Sequence, residues 1–132
     1  MKFKYIKMIA RGEANFVSLP LLEIGLSKGN FMCLVDSGAD YCYFPAAIGE
    51  ALDINVKDGE KRESKGITGT PFTAYFHAID CKIGGRDYKV KIGFSYDLGV
   101  PFGILGREEF FSLFKVCIDH RNEEVELKPY TK

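Results

Sequence analysis

The residues with the most chemical potential lie together in Phe31-Met32-Cys33-Leu34-Val35-Asp36-Ser37-Gly38-Ala39-Asp40. Five mostly apolar residues, Phe31 to Val35, run into an acid, a hydroxyl residue and a glycine. The run is short and has no polar break, so it predicts a strand buried on both faces. A carboxylate delivered at the end of such a strand is costly unless it is hydrogen-bonded, shares a proton or does chemistry. Ser37 and Gly38 predict a tight turn that presents Asp36 instead of packing it away. An aspartate that merely caps a turn is the alternative, and these ten residues alone leave it open.

Other groups invite a chemical reading. Ile104-Leu105-Gly106-Arg107 is a second apolar run broken by glycine. Lys65-Gly66-Ile67-Thr68-Gly69-Thr70-Pro71 is a glycine-flanked turn. It is either an ordinary hairpin tip or a mobile loop that closes over a ligand with its glycines as hinges. Phe31, Tyr43, Ile67, Phe72, Phe94 and Phe102 are candidates to line apolar pockets, with core packing as the alternative for each. The four cysteines (Cys33, Cys42, Cys81, Cys117) show no C-x-x-C spacing, which argues against zinc and dithiol redox chemistry. His77 and His120 lie far apart in the sequence. No metal and no cofactor are expected, and the motifs GxGxxG, Walker P-loop and HExxH are all missing.

The elements that must position these groups read mainly as strands. Residues 2–9 predict a strand, and Arg11 to Asn15 a turn. Phe16 to Ile24 predicts another strand, with Pro20 demoting part of it to an edge or bulge. Ser27-Lys28-Gly29-Asn30 supplies hairpin turn chemistry before the Asp36 strand. Pro45 opens a short helix that runs to Leu52. The charged stretch Asn55–Ser64 reads as a solvated loop or strand edge. Ile79, Cys81 and Ile83 alternate into Gly84-Gly85, and Tyr88, Val90 and Ile92 alternate back, the clearest hairpin of the chain. Arg107 to Phe114 has helical spacing, with Phe110, Phe111 and Phe114 on one face and Glu108 and Glu109 in the first turn, where the helix dipole favours acids. Val116 and Ile118 pair with Val125 and Leu127 in a last hairpin. About nine short strands and two short helices predict an all-β barrel or folded sandwich.

Size and composition bound the function. The 132 residues suit a single domain spanning 1–132. Eighteen basic and eighteen acidic residues cancel, so no basic face points to nucleic acid. No apolar run reaches the length of a membrane span. The N-terminal Met1-Lys2-Phe3-Lys4-Tyr5-Ile6-Lys7 alternates lysine with apolar residues and lacks the continuous apolar stretch of a signal peptide. Free thiols in a reducing cytoplasm are the expectation.

Asp36-Ser37-Gly38-Ala39-Asp40, the glycine-flanked Gly66-Ile67-Thr68-Gly69 and, about 70 residues after the first, Ile104-Leu105-Gly106-Arg107 occur in that order. Together they resemble the motifs of the retroviral-type aspartic proteases, the retropepsin-like family, over roughly residues 15–128. The Pro45–Leu52 helix, Phe110-Phe111 and the last hairpin look more like cellular and bacterial members than the compact viral ones. Cys42 departs from the Ser or Thr of many relatives. The resemblance implies a closed or partly open acid-protease β-barrel with one or two short helices. It implies an aspartic endopeptidase that hydrolyses peptide bonds by activating water between two carboxylates. This chain supplies one, because the second rhyming segment has Gly106-Arg107 where another aspartate would be needed. A homodimer contributing Asp36 twice follows, with an extended peptide or protein as substrate.

The resemblance also carries residue roles. Asp36 would be the catalytic acid/base. Ser37, Gly38 and Ala39 would support the site, Ser37 by locking two active-site loops across the dimer axis. Asp40 would pair with Arg107 and help fix substrate backbone, with a purely supporting ion pair as the alternative. Gly66, Ile67, Thr68 and Gly69 would form the tip of a flap over the substrate, which would bind by strand addition. A non-catalytic dimeric module of the same fold, binding peptides or scaffolding a complex, is the rival reading. A phosphotransfer enzyme with Asp36 at a strand end fits poorly, because such sites sit on α/β sheets with long crossover helices. A domain cut from a polyprotein is a further alternative, although Met1 and the polar tail Lys128–Lys132 lean toward a complete small protein.

Overall fold

Proline, glycine and alternating apolar residues divide the chain into strands. The structure, a computed structural model, describes residues 1–9, 16–65 and 69–130. Among these are β1 (Lys2–Lys4), β2 (Ile6–Ile9), β3 (Phe16–Leu19), β4 (Leu21–Leu26), β5 (Gly29–Val35) and β6 (Cys42–Pro45). They are followed by α1 (Ala46–Ala51), β7 (Glu60–Lys65), β8 (Pro71–Ile83), β9 (Arg86–Ser95), β10 (Gly103–Leu105), β11 (Phe114–Asp119) and β12 (Glu124–Pro129). The count exceeds the sequence expectation by three, because the chain breaks at Tyr5 and at Pro20 and because the charged stretch contains β7. Pro20 has no N–H for a ladder, yet its carbonyl still accepts from the Val35 amide at 3.0 Å. The turn expected at Arg11–Asn15 lies outside the described residues.

Seven strands form one sheet in the order β4-β5-β10-β6-β9-β8-β7, and a further β4–β8 pairing curls it toward a barrel. This is the expected all-β architecture. The β8–β9 hairpin turns at Gly84-Gly85, whose φ values of 58° and 82° are strained for any other residue type. The strands β1-β12-β11 form a separate three-stranded sheet whose Phe114, Val125 and Leu127 pack into the same core as the large sheet, with Val116 opposite Leu127 and Ile118 opposite Val125 as their alternation predicts. β7 is the terminal strand of the large sheet, which agrees with a solvated edge.

Two local expectations fail. β5 is not buried on both faces: Cys33 and Val35 point into the main core, whereas Met32 is 37% exposed. Leu34, on the Met32 side, packs only against a smaller cluster of Tyr43, Ala74, Phe76 and Ile104. The predicted helix after Gly106 is a single irregular turn, Arg107–Phe111, with Glu108 extended (ψ 135°) and Glu109 at φ 79°. Phe114 already begins β11. The helix-dipole role for Glu108 and Glu109 falls with it. The apolar signal was real, since Phe110 and Phe114 are almost wholly buried. A turn followed by a strand buries both rings as well as a helix would, and periodicity over a few residues does not separate the two.

Candidate active site

The turn after β5 is built by two strands that run side by side. β5 and β10 are parallel, with Cys33 opposite Gly103, Leu34 opposite Ile104 and Val35 opposite Leu105. Backbone bonding continues past the strand ends: the Asp36 amide donates to Leu105 (3.0 Å), the Arg107 amide to Ala39 (2.9 Å) and the Glu108 amide to Asp40 (2.8 Å). Inside the turn the Gly38 amide donates to Asp36 Oδ1 at 2.9 Å, and the Ala39 amide to the Asp36 carbonyl at 3.2 Å. Gly106 lies hard against the main chain of the turn. A Cβ there would lie 2.1 Å from the Tyr41 carbonyl oxygen and 2.9 Å from that of Ala39. The two rhyming segments therefore meet as one rigid unit, and Asp36 projects from it half-buried.

Asp40 is held differently from the expectation. Its Oδ1 accepts from the Tyr43 hydroxyl (2.6 Å) and the Tyr41 amide (2.9 Å), and its Oδ2 accepts from the Ser64 hydroxyl (2.9 Å). The two hydroxyl oxygens are 3.0 Å apart. With both protons directed at the carboxylate, that third edge has no proton of its own. Arg107 forms no ion pair with Asp40; its Nη1 donates to the Ser37 carbonyl at 2.9 Å. The expected Asp40–Arg107 pair is thus replaced by two separate contacts, because Tyr43 and Ser64 already occupy both Asp40 oxygens. Ser37 is exposed, and its hydroxyl has no partner among the described residues.

Partial burial pushes the Asp40 carboxyl up, but the donors Tyr43, Ser64 and the Tyr41 amide outweigh it and hold the group below the usual carboxylate range. Burial, then the bond to Asp40, drives the Tyr43 phenol well above its ordinary value. The fold therefore favours ionised Asp40 beside neutral Tyr43. Asp40 contributes stability in full above the unfolded carboxylate value of about 4, and that contribution is lost as pH falls through its lower folded value. Tyr43 contributes in full below about pH 10, and that contribution fades as pH rises through its raised folded value. Tyr43→Phe is expected to destabilise the fold by about 1–2 kcal/mol near neutral pH, the worth of one hydrogen bond to a partly buried carboxylate that keeps its Tyr41 and Ser64 donors. Urea unfolding should show the gap to wild type narrowing in acid as Asp40 protonates; a gap constant with pH would contradict the ionised assignment.

The same contacts tie the floor to the strand above it. Ser64 lies on β7, and Arg62 on that strand has its guanidinium 5.3 Å from the Tyr41 ring centre and 5.1 Å from that of Phe76. β7 and β8 pair antiparallel, and their last pair before the expected flap tip is Lys65–Pro71. Of the expected tip, Gly66, Ile67 and Thr68 lie outside the described residues, and Gly69 is exposed with φ 80°. Between this strand pair and the Asp36 turn is a cleft of about 620 Å³. Asp36, Gly38, Ala39, Asp40 and Arg107 line it, joined by Tyr43, Lys65, Phe72, Leu98, Val100 and Ile104. Of the aromatic candidates, Tyr43 and Phe72 reach the cleft, whereas Phe94 is core.

Sequence reasoning missed Lys65, Ser64, Leu98 and Val100, and assigned Tyr43 no hydrogen-bonding role. One signal was available for Tyr43: a buried tyrosine hydroxyl needs a partner, and Asp40 lies three residues away. Among the described residues no group of three His, Cys, Asp or Glu side chains is placed to hold a metal ion. Burial pushes the Cys42 thiol up to about 11, so it stays protonated and inert near neutral pH.

No protein-family model and no curated protein matches the sequence. Solved structures do match the fold. The EIAV protease complexed with the inhibitor HBY-793 superposes with a TM-score of 0.56 at 20% identity, covering 80% of this chain and 94% of that one. A retropepsin-like aspartic protease from Rickettsia conorii superposes with a TM-score of 0.63 at 16% identity, covering 80% and 86%. The chain has the retropepsin-like fold. Within it, the first and third of the motifs read from the sequence meet in the β5–β10 pair with its turn. No helix among the described residues is long and apolar enough to cross a membrane.

Proposed function

We propose that this chain, as one domain over 1–132, is an aspartic endopeptidase that works as a homodimer with Asp36 of each copy as the catalytic pair. The observation that carries this reading is Asp36 itself. It stands at the end of β5 on a turn fixed by backbone hydrogen bonds, half-buried at the floor of a partly apolar cleft, and among the described residues only the Gly38 amide donates to its side chain. A carboxylate on a turn fixed in this way, with its Oδ2 unbonded among the described residues, suits acid–base work more than structural capping.

In a two-fold dimer, two such carboxylates face each other across a water. Like charges that close cannot both ionise, so the pair holds one proton. The ionised member takes a proton from the water, whose oxygen attacks the scissile carbonyl carbon. The protonated member donates to the carbonyl oxygen. Collapse of the tetrahedral intermediate expels the amine, which leaves with a proton from the pair, and no covalent enzyme intermediate forms. Ser37, with its hydroxyl exposed and unpartnered among the described residues, is free to lock the two turns across the axis. Gly38 leaves room for substrate backbone, and the β7–β8 hairpin acts as the flap. The four cysteines are free thiols, three of them buried, which suits the cytoplasm.

A self-complementary site requires a C2 assembly. Sedimentation is expected to show a dimer at concentrations where peptides are cleaved, and the rate per chain should fall on dilution below the dimer dissociation constant. A strict monomer that still cleaves would end the two-carboxylate mechanism. The rate should peak where the pair carries one proton and fall on both sides, with apparent values that belong to the pair.

A further inference from the structure

Two cations border the cleft with no carboxylate partner among the described residues. Lys65, the last residue of β7, and Arg107, just past β10, both line it. Neither forms an ion pair among the described residues, and the one hydrogen bond of the Arg107 guanidinium goes to a carbonyl. The acid that could have neutralised them, Asp40, is saturated by two hydroxyls and an amide. Asp36 is engaged by the Gly38 amide and, in the proposed reaction, by its counterpart. Next to these cations the lining is apolar, formed by Phe72, Leu98, Val100 and Ile104. Apolar walls exclude water and strengthen any charge pair formed beside them. Arg107 keeps four N–H groups for a planar acceptor, the geometry a carboxylate matches.

We propose that Lys65 and Arg107 make a subsite for an acidic side chain, so that the cleft selects extended peptides carrying Glu or Asp beside an apolar residue. The proposal rests on the reading of the cleft as a peptide site. The apolar residue packs on Leu98, Val100 and Ile104, and the carboxylate meets the two cations. In a dimer the second copy supplies the same pair on the other side of the scissile bond, so an acidic residue is accepted on either side.

The test separates binding from cleavage. Full-length Asp36→Asn protein is titrated, by fluorescence anisotropy, into a series of labelled apolar peptides in which one Glu is walked along the sequence, and into the matching Gln series. In at least one position Glu is expected to bind about tenfold tighter than Gln, and the difference should shrink as salt is raised. Lys65→Glu in the same background should abolish or invert that preference, so that a Lys series binds better than the Glu series. Equal affinity for Glu and Gln at every position, no binding of either series, or a Glu preference unchanged by Lys65→Glu would overturn the subsite. Cleavage by the wild-type chain is scored independently. Acid-selective binding without cleavage leaves the subsite standing and ends the endopeptidase reading. Cleavage indifferent to Glu does the reverse.

Discussion

Asp36→Asn is expected to reduce peptide hydrolysis by at least about 10⁴-fold, because in a homodimer one substitution removes both the general base and the general acid. The fold should survive. Asparagine keeps an oxygen at the position that accepts the Gly38 amide, and the backbone bonds that shape the turn, from the Asp36 amide to Leu105 and from the Ala39 amide to Asp36, do not involve the side chain. The measurement is cleavage of an unfolded protein or a peptide library from acidic to neutral pH, with thermal unfolding of both proteins alongside. Equal rates for wild type and variant would remove the protease reading and leave the non-catalytic module in its place.

The largest expected loss of stability comes from Gly106→Ala. The added methyl would lie 2.1 Å from the Tyr41 carbonyl oxygen, a backbone atom that cannot rotate aside. The turn that bears Asp36 would have to separate from β10, straining the bonds from the Arg107 amide to Ala39 and from the Glu108 amide to Asp40. Overpacking of this kind costs roughly 3 kcal/mol or more where the obstacle is main chain. Gly99→Ala is the control, since no atom lies within 4 Å of a Cβ built there, and it should be neutral or slightly stabilising. Urea midpoints for the two variants decide the matter: similar midpoints would mean that the two segments do not bear on each other.

Much of this site was legible before any coordinates. The apolar run into Asp36-Ser37-Gly38 marks a strand that delivers an acid into a turn, and Ile104–Arg107 marks its companion. Hairpin chemistry at Gly84-Gly85 and the alternation of Val116 and Ile118 against Val125 and Leu127 both correspond to the observed pairings. These signals are local, since turn preference and side-chain alternation depend on residues one to four positions apart. The stretch after Gly106 shows where local signals stop. Phe110 and Phe114 fit a helical stripe, yet packing places them on a turn and a strand.

The partner of Asp40 shows the same limit at long range. Its two acceptor oxygens are contested by Arg107, Tyr43 and Ser64, and sequence spacing offers no ranking among them. Sheet order brings Ser64, 24 residues away, onto Asp40 from the β7 edge, while Tyr43 reaches it from β6 and Arg107 meets the nearer Ser37 carbonyl. The sequence by itself determined that the chain is β-rich, that an acid is presented on a turn, and that a second apolar-Gly-Arg segment accompanies it. Only the tertiary structure decided which polar groups surround Asp40 and which cations line the cleft with no ion pair among the described residues. Hydrogen bonds form between whichever groups the sheet register places within 3 Å of each other, and that register depends on the packing of the whole core.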